Sequence, residues 1–518
     1  METIPAAAVP ASKGGSAVDL GSFVTTYQRP HLNHTRVPMV EGIVRYRESQ
    51  IAPFSTPGHK QGLGMDPQLR ELYGDDAFLS DIPVSGGADD LHFTWGTLRQ
   101  AEDLGADAWG ADRTFYLVNG SSTGNHAYLL ATLRPGDEVV VARDIHKSLL
   151  VALIHTGAKP VYVAPRLHPD LDVGLGIAAA DVAATLDAHP NAKLVALVSP
   201  SYCGVSSDLR AISAVAHGRG VPVYVDEAWG PHFHFHPALP ASAMASGIDG
   251  AVASTHKVLG AITQSAILNV QGSLVDARRV ENAVGMTQTT SPAAYILASI
   301  DACRRQMVLR GRELLETTIA LAGEARRRLQ RIPGVDVLDG ERLGVETYDL
   351  TKLLIDVHGL RMTGFDVEEA LRRRFRIVPE LSDLTGIMCL ITVGDTQESI
   401  NRLIHAFETL SAERRVHLNG NGNGAVMRSS GVAIAPGVQA MSPRDAFYAP
   451  SRAIPLREAI GEVSAELVIP YPPGIPVLAP GDVISAEKVE YLAFGGAHGM
   501  YISGASDARL ETIKVVAG

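Results

Sequence analysis

Between residues 113 and 254 this chain repeats one pattern: a short apolar run, then a stretch of helical character. The runs are "TFYLVN", "DEVVVAR", "KPVYVAP", "KLVALVSPSY", "VPVYVDEAW" and "IDGAVAST", and helical segments such as "NHAYLLATLR", "HKSLLVALIHTG" and "DLRAISAVAHGRG" fall between them. Strands apolar along their whole length are buried on both faces, and neighbouring parallel strands need a crossover long enough to hold a helix. The pattern therefore predicts an α/β fold around a mostly parallel sheet.

At 518 residues the chain exceeds one ordinary core. Residues 1–50, rich in Ala, Pro, Gly and Ser at the start, read as a tail passing into an arm, and 51–310 as the large sheet domain. A long amphipathic stretch, "RGRELLETTIALAGEARRRLQRI", leads into a small α+β domain over 311–415 containing "YDLTKLLIDV", "GFDVEEALRRRF" and "GIMCLITVG". The Asn, Gly and Ser of "HLNGNGNGAVMRSSG" mark a linker over 416–432. A module at 433–518 follows, with a helix expected in "PLREAIGEVSAEL" and a turn-rich loop in "YPPGIPVLAPGD".

Composition excludes several classes. Lys and Arg number 45 against 56 Asp and Glu, a net charge of −11, with no basic run to suggest a nucleic-acid partner. No apolar run is long enough to span a bilayer, and the N-terminus lacks the basic and apolar regions of a secretory signal. Cys203, Cys303 and Cys389 match no zinc or redox spacing, so a reducing, cytoplasmic setting is expected.

Four pieces carry chemistry. "LVNGSSTGNHAYLL" runs from a strand through Ser121, Ser122 and Thr123 into a helix, a start whose free N–H groups suit a phosphate, although such turns are also common simply as caps. It is not a P-loop, because no Lys follows the glycine at the required place. In "VPVYVDEAWG", Asp226 ends an apolar strand at the sheet edge where α/β proteins bind ligands; a helix cap is the plainer alternative. Lys257 follows the run "DGAVASTH", either as a solvated surface charge or held inside a site. His146 of "DIHKSLL" lies on the same edge, as a ring-stacking group or a helix cap. Together they fit pyridoxal 5′-phosphate (PLP): Lys257 for the Schiff base, Asp226 for the pyridinium nitrogen, the hydroxyl turn for the phosphate and His146 flat on the ring.

The motifs "TPGHKQG", "DIPVSGGADDLH", "NGSSTGN", "DIHKSLL", "VDEAWG", "STHKVLGAITQ", "TTSP" and "YPPGIPVLAPGD" resemble, in order, those of the Orn/Lys/Arg decarboxylases of aspartate-aminotransferase fold, and the length resembles the shorter, arginine-decarboxylase-type branch. The resemblance implies PLP fold type I with a seven-stranded sheet between helices. It implies Lys257 as the cofactor lysine, Asp226 as pyridinium partner, His146 and Ala228 against the two ring faces, and Ser121, Ser122, Thr123, Ser254 and His256 around the phosphate. Thr289 and Thr290 would reach the phosphate of a neighbouring copy, making a homodimer or larger homo-oligomer with sites at the interface. His59, Asp89, Asp90 and Glu380 are candidates for binding substrate, with a carboxylate facing its distal cation.

The implied reaction is decarboxylation of a basic L-amino acid, arginine to agmatine first, lysine or ornithine next. A PLP-dependent oxidase or lyase, an aminotransferase-like enzyme, and a silent regulator that kept the fold are the other readings; the last has no need of Lys257 or Asp226. One departure from the family is Ala293 and Ala294 where a Ser-Tyr pair is expected, with a tyrosine only at Tyr295. Another is "GPHFHFHP", in which His232, His234 and His236 would share one face of an extended strand. Their spacing matches no zinc pattern, and no metal is assigned.

Overall fold

The seven strands of the large sheet are β1 (Arg113–Leu117), β2 (Glu138–Ala142), β3 (Lys159–Val163), β4 (Leu194–Val198), β5 (Val223–Asp226), β6 (Gly250–Ala253) and β7 (Ala266–Val270). In this computed structural model, which describes residues 32–84, 96–169, 173–417, 432, 435, 437–470 and 474–517, their spatial order is β1-β7-β6-β5-β4-β2-β3. Only β7 runs antiparallel to its neighbours. His34–Gly518 forms one compact unit, divided from Met1–Asn33.

The sheet interior is Val, Leu, Ile and Ala on both faces, as the continuous apolar runs require. One consequence decides where chemistry can occur. The C-terminal ends of β1, β2, β4, β5 and β6 share an edge, so the loops leaving them emerge together. Helix Gly120–Thr132 starts directly after β1 and presses close to the sheet at Gly124, where an added Cβ would lie 2.5 Å from Cγ2 of Val252.

Helix Ala294–Leu329, 36 residues long, joins two cores. Its first half packs Leu297, Ile300 and Met307 beside Leu98 and Trp109; its second half gives Ala322, Ala325 and Leu329 to the small domain. There β8 (Asp336–Leu338), β9 (Lys352–Asp356), β10 (Leu381–Ser382) and β11 (Gly386–Leu390) form a sheet ordered β10-β11-β9-β8. The linker expected at 416–432 lies outside the described residues apart from its ends.

The C-terminal module pairs β12 (Ser451–Pro455) with β15 (Thr512–Val516) and β13 (Ile469–Pro470) with β14 (Ile502–Ser503), and packs helix Ala486–Ala497 beside them. The helix expected in "PLREAIGEVSAEL" is not there. It is a single 3₁₀ turn, Leu456–Glu458, after which Gly461 takes φ +87° and Val463 and Ser464 form bridges with Val483 and Val515. Tertiary pairing overrides a helical propensity too short to hold by itself.

Arg143, just after β2, pins this module to the large domain. Buried at 2% exposure, its terminal nitrogens donate to the carbonyls of Pro476 (2.7 Å) and Val477 (3.1 Å) and to Oδ2 of Asp482 (3.1 Å). Removing one partner of such a pair leaves a buried charge behind. Arg143→Ala should therefore lower stability by about 3 kcal/mol, read from urea unfolding followed by circular dichroism; a loss under about 1 kcal/mol would mean the seam is dispensable.

Candidate active site

The loops at the strand ends enclose a cavity of about 270 Å³. Six residues predicted from sequence line it: Ser121 after β1, His146 after β2, Asp226 and Ala228 at the end of β5, Lys257 after β6 and Glu380 from the small domain.

Asp226 is 3% exposed. Its Oδ1 accepts from the backbone N–H of Ala228 (3.1 Å) and its Oδ2 from Nδ2 of Asn125 (2.8 Å). Asn125 is the hub of this network. The other proton of its Nδ2 goes to Oγ of Ser148 (2.8 Å), and its Oδ1 accepts from the Tyr224 hydroxyl (2.8 Å). A flipped amide would set its oxygen against the Asp226 carboxylate, so the network fixes the orientation. Ser148 in turn lies 2.8 Å from Nδ1 of His146, and the Ser148 backbone N–H also points at that nitrogen (3.3 Å). Nδ1 is thus an acceptor, and the proton of the neutral ring sits on Nε2. Burial above all, with Lys257 adding to it against Asp226, holds the imidazole well below its ordinary pKa.

Burial likewise lowers the Lys257 amine, opposed by Asp226 and Glu380. Its Nζ lies 3.7 Å from the ring centroid of Trp229, which also carries Nζ of Lys352 at 4.0 Å. Burial pushes Lys352 down to about 8 and raises Glu380, which both lysines partly offset.

Of the predicted phosphate residues Ser121, Ser122, Thr123, Ser254 and His256, only Ser121 lines the cavity; Thr123, two residues on in helix Gly120–Thr132, donates to the carbonyl of Asn119 (3.3 Å). Ser122 is partly exposed beside Ser121. The hydroxyls of Ser254 and Thr255, next to Lys257 in sequence, are buried without a hydrogen-bond partner. His256 donates from Nδ1 to the carbonyl of Ser265 (2.7 Å). Orphaned hydroxyls and a helix start suit a phosphate, and a neutral histidine, a carboxylate and a buried amine suit a pyridine aldehyde. The residues fit PLP.

Other predicted positions fall elsewhere. His59 does not line this cavity; it bridges Gly62 N–H (3.0 Å) and Asp81 (3.1 Å). Asp89 and Asp90 lie outside the described residues. Thr289 and Thr290 are exposed on this chain and do not line the cavity. Ala294 is buried at the start of its long helix and Tyr295 is exposed. The three alternating histidines share no face, because Phe233–Phe235 is a 3₁₀ turn and not a strand. His232 is buried against Asp349 (3.2 Å), His234 packs on Gly110, and His236 caps Ala238. Among the described residues no cluster of His, Cys, Asp and Glu is arranged for a metal, and no helix is long and apolar enough to cross a membrane.

The model of the Orn/Lys/Arg decarboxylase major domain matches residues 37–349, and that of the family's C-terminal domain matches 432–501. The chain belongs to the Orn/Lys/Arg decarboxylase family. It is 40% identical over 486 residues to the arginine decarboxylase of Halalkalibacterium halodurans, covering 93% of this chain and 98% of that one. It is 39% identical to the arginine decarboxylase of Bacillus subtilis, covering 94% and 99%. Among solved structures, lysine decarboxylase A of Pseudomonas aeruginosa superposes with a TM-score of 0.79 at 23% identity, over 93% of this chain and 80% of that one. The fold is the fold type I shared by these decarboxylases and aminotransferases.

In this family member, sequence reasoning passed over Asn125, Asp144, Trp229 and Ile475. Each stands inside a motif already quoted: "NGSSTGN", "DIHKSLL", "VDEAWG" and "YPPGIPVLAPGD". For Asn125 the signal was a polar residue on the inner face of a helix otherwise packed on the sheet. Asn125→Ala strips a donor from Asp226 and from Ser148 at once. Retention of PLP should weaken by about tenfold or more, measured by fluorescence titration of apoprotein; an unchanged dissociation constant would show that Asp226 needs no such support.

Proposed function

We propose that the protein decarboxylates a basic L-amino acid with PLP as cofactor, arginine to agmatine in the first place. The reading rests on one observation: Lys257, Asp226 and His146, each from a different strand end, line a single cavity. The identity to two arginine decarboxylases over nearly the whole chain favours arginine.

PLP, when bound, supplies an electron sink for the pair left behind as CO₂ departs. The chain's own residues do the rest. Lys257 would hold the cofactor's aldehyde, a role its lowered pKa suits. Asp226, fixed by Asn125 and Ala228, keeps the ring nitrogen protonated. His146 and Ala228 would hold the ring between them, and Trp229, whose ring lies 3.7 Å from Nζ of Lys257, shields the lysine from water. Lys257, as its ammonium, would deliver the proton to Cα and be left as the neutral amine; His146, neutral with its one proton on Nε2, has none to give and serves to hold the ring. Thr289 and Thr290, exposed on one chain, serve the phosphate of a second copy, so the working unit is at least a homodimer.

The test is to incubate the PLP-loaded protein with arginine, lysine and ornithine, measuring CO₂, amine, hydrogen peroxide and ammonia together. Equal amounts of CO₂ and amine, fastest with arginine, are expected. Peroxide or ammonia in place of amine would overturn the reading in favour of an oxidase or lyase.

A further inference from the structure

Three carboxylates line the cavity: Asp144, Asp226 and Glu380. Two are already answered. Asp226 accepts from Asn125 and Ala228 and belongs to the cofactor's ring nitrogen in the reading above. Glu380 stands in the field of Lys257 and Lys352. Asp144 differs from both. It is only 8% exposed, yet its Oδ1 has no hydrogen-bond partner. Its sequence neighbour Arg143 partly offsets that burial through its charge, but its terminal nitrogens donate to Pro476, Val477 and Asp482.

A buried carboxylate oxygen without a donor is costly, and the cost is greatest for the ionised group. It persists where a ligand brings the missing charge. A basic amino acid brings such a cation at the end of an aliphatic stem. Asp144 lies on the loop that carries His146. The backbone N–H of Lys147 on that loop donates to the carbonyl of Gly474 (3.0 Å), which keeps Ile475 of the C-terminal module on the cavity wall. One wall thus offers apolar surface for methylenes and a buried carboxylate oxygen without a donor.

We propose that Asp144 binds the distal cation of the substrate, accepting two parallel N–H donors from a guanidinium, and that Ile475 packs against the methylenes leading to it. This rests on the basic amino-acid reading and puts Asp144 ahead of Glu380, which stands in the field of Lys257 and Lys352, as the candidate for selectivity. Arginine suits a planar two-donor contact better than lysine or ornithine. Citrulline, of the same shape without the charge, should be rejected.

The experiment compares the wild-type holoenzyme with Asp144→Asn and Asp144→Glu. Binding of agmatine, which has the distal group but no carboxylate to lose, is measured by calorimetry, and KM for arginine and citrulline by CO₂ release. In Asp144→Asn, agmatine should bind about 30-fold more weakly, and the KM preference for arginine over citrulline should shrink by at least about tenfold. Asp144→Glu, which keeps the charge, should retain most of that preference. Bound PLP content and circular dichroism accompany each variant, and Asp144→Ser stands in for a neutral variant that does not fold. Agmatine affinity within about threefold of wild type in a PLP-loaded neutral variant overturns the role of Asp144 alone. Wild-type protein that releases no CO₂ from any basic amino acid overturns the underlying reading as well.

Discussion

Lys257→Ala is expected to give a folded protein that binds PLP without the absorbance band of the lysine-bound form and releases CO₂ from arginine at least about 10³-fold more slowly. Two losses combine. The cofactor has no covalent anchor, and the site loses its nearest proton carrier. Folding should survive, because Lys257 is an amine disfavoured by burial, and the Trp229 ring it leaves still carries Lys352 at 4.0 Å. The measurement is a visible spectrum of the reconstituted variant beside a CO₂ assay. A retained band, or turnover within about tenfold of wild type, would show that another amine does the work; Lys352 is the candidate nearest that ring.

Asp226→Asn should cut turnover by about 10²–10³-fold while leaving the fold intact. The two groups donating to Asp226, Nδ2 of Asn125 and the N–H of Ala228, are both neutral. They orient the carboxylate without cancelling its charge, which in the proposed reading would hold a proton on the cofactor's ring nitrogen. An asparagine cannot satisfy both donors, since one of its two ends must then present N–H to N–H. The variant should bind PLP more weakly, with an altered spectrum, and its loss should appear in kcat as well as in KM. Wild-type kcat with a normal spectrum would mean the ring nitrogen is not the partner of Asp226.

The lysine, aspartate, histidine and serine turn were legible because each sits where an apolar strand ends. In a parallel sheet those ends share one edge, so residues 121, 146, 226 and 257 could be brought together without coordinates. Asp144 and Asn125 were equally present in the quoted motifs, but nothing in a linear string says which way they face. Asn125 looked like one more polar residue in a helix; its importance comes from Asp226 and Ser148 lying on opposite sides of its amide. The histidine triplet misled for a related reason. Alternation implies one face only in extended backbone, and Phe233–Phe235 is a 3₁₀ turn.

What the sequence determined by itself was the parallel sheet, the strand-end residues Ser121, His146, Asp226 and Lys257 that line one cavity, and the family, because these depend on runs of apolar residues and on motifs local to a strand end. Only the tertiary structure decided that Asp226 is hydrogen-bonded by Asn125 and Ala228, that Oδ1 of Asp144 is buried without a donor, and that Ile475 of the C-terminal module supplies part of the cavity wall. Those facts depend on desolvation and on contacts between residues hundreds of positions apart, such as Arg143 with Asp482, and neither is written in local sequence.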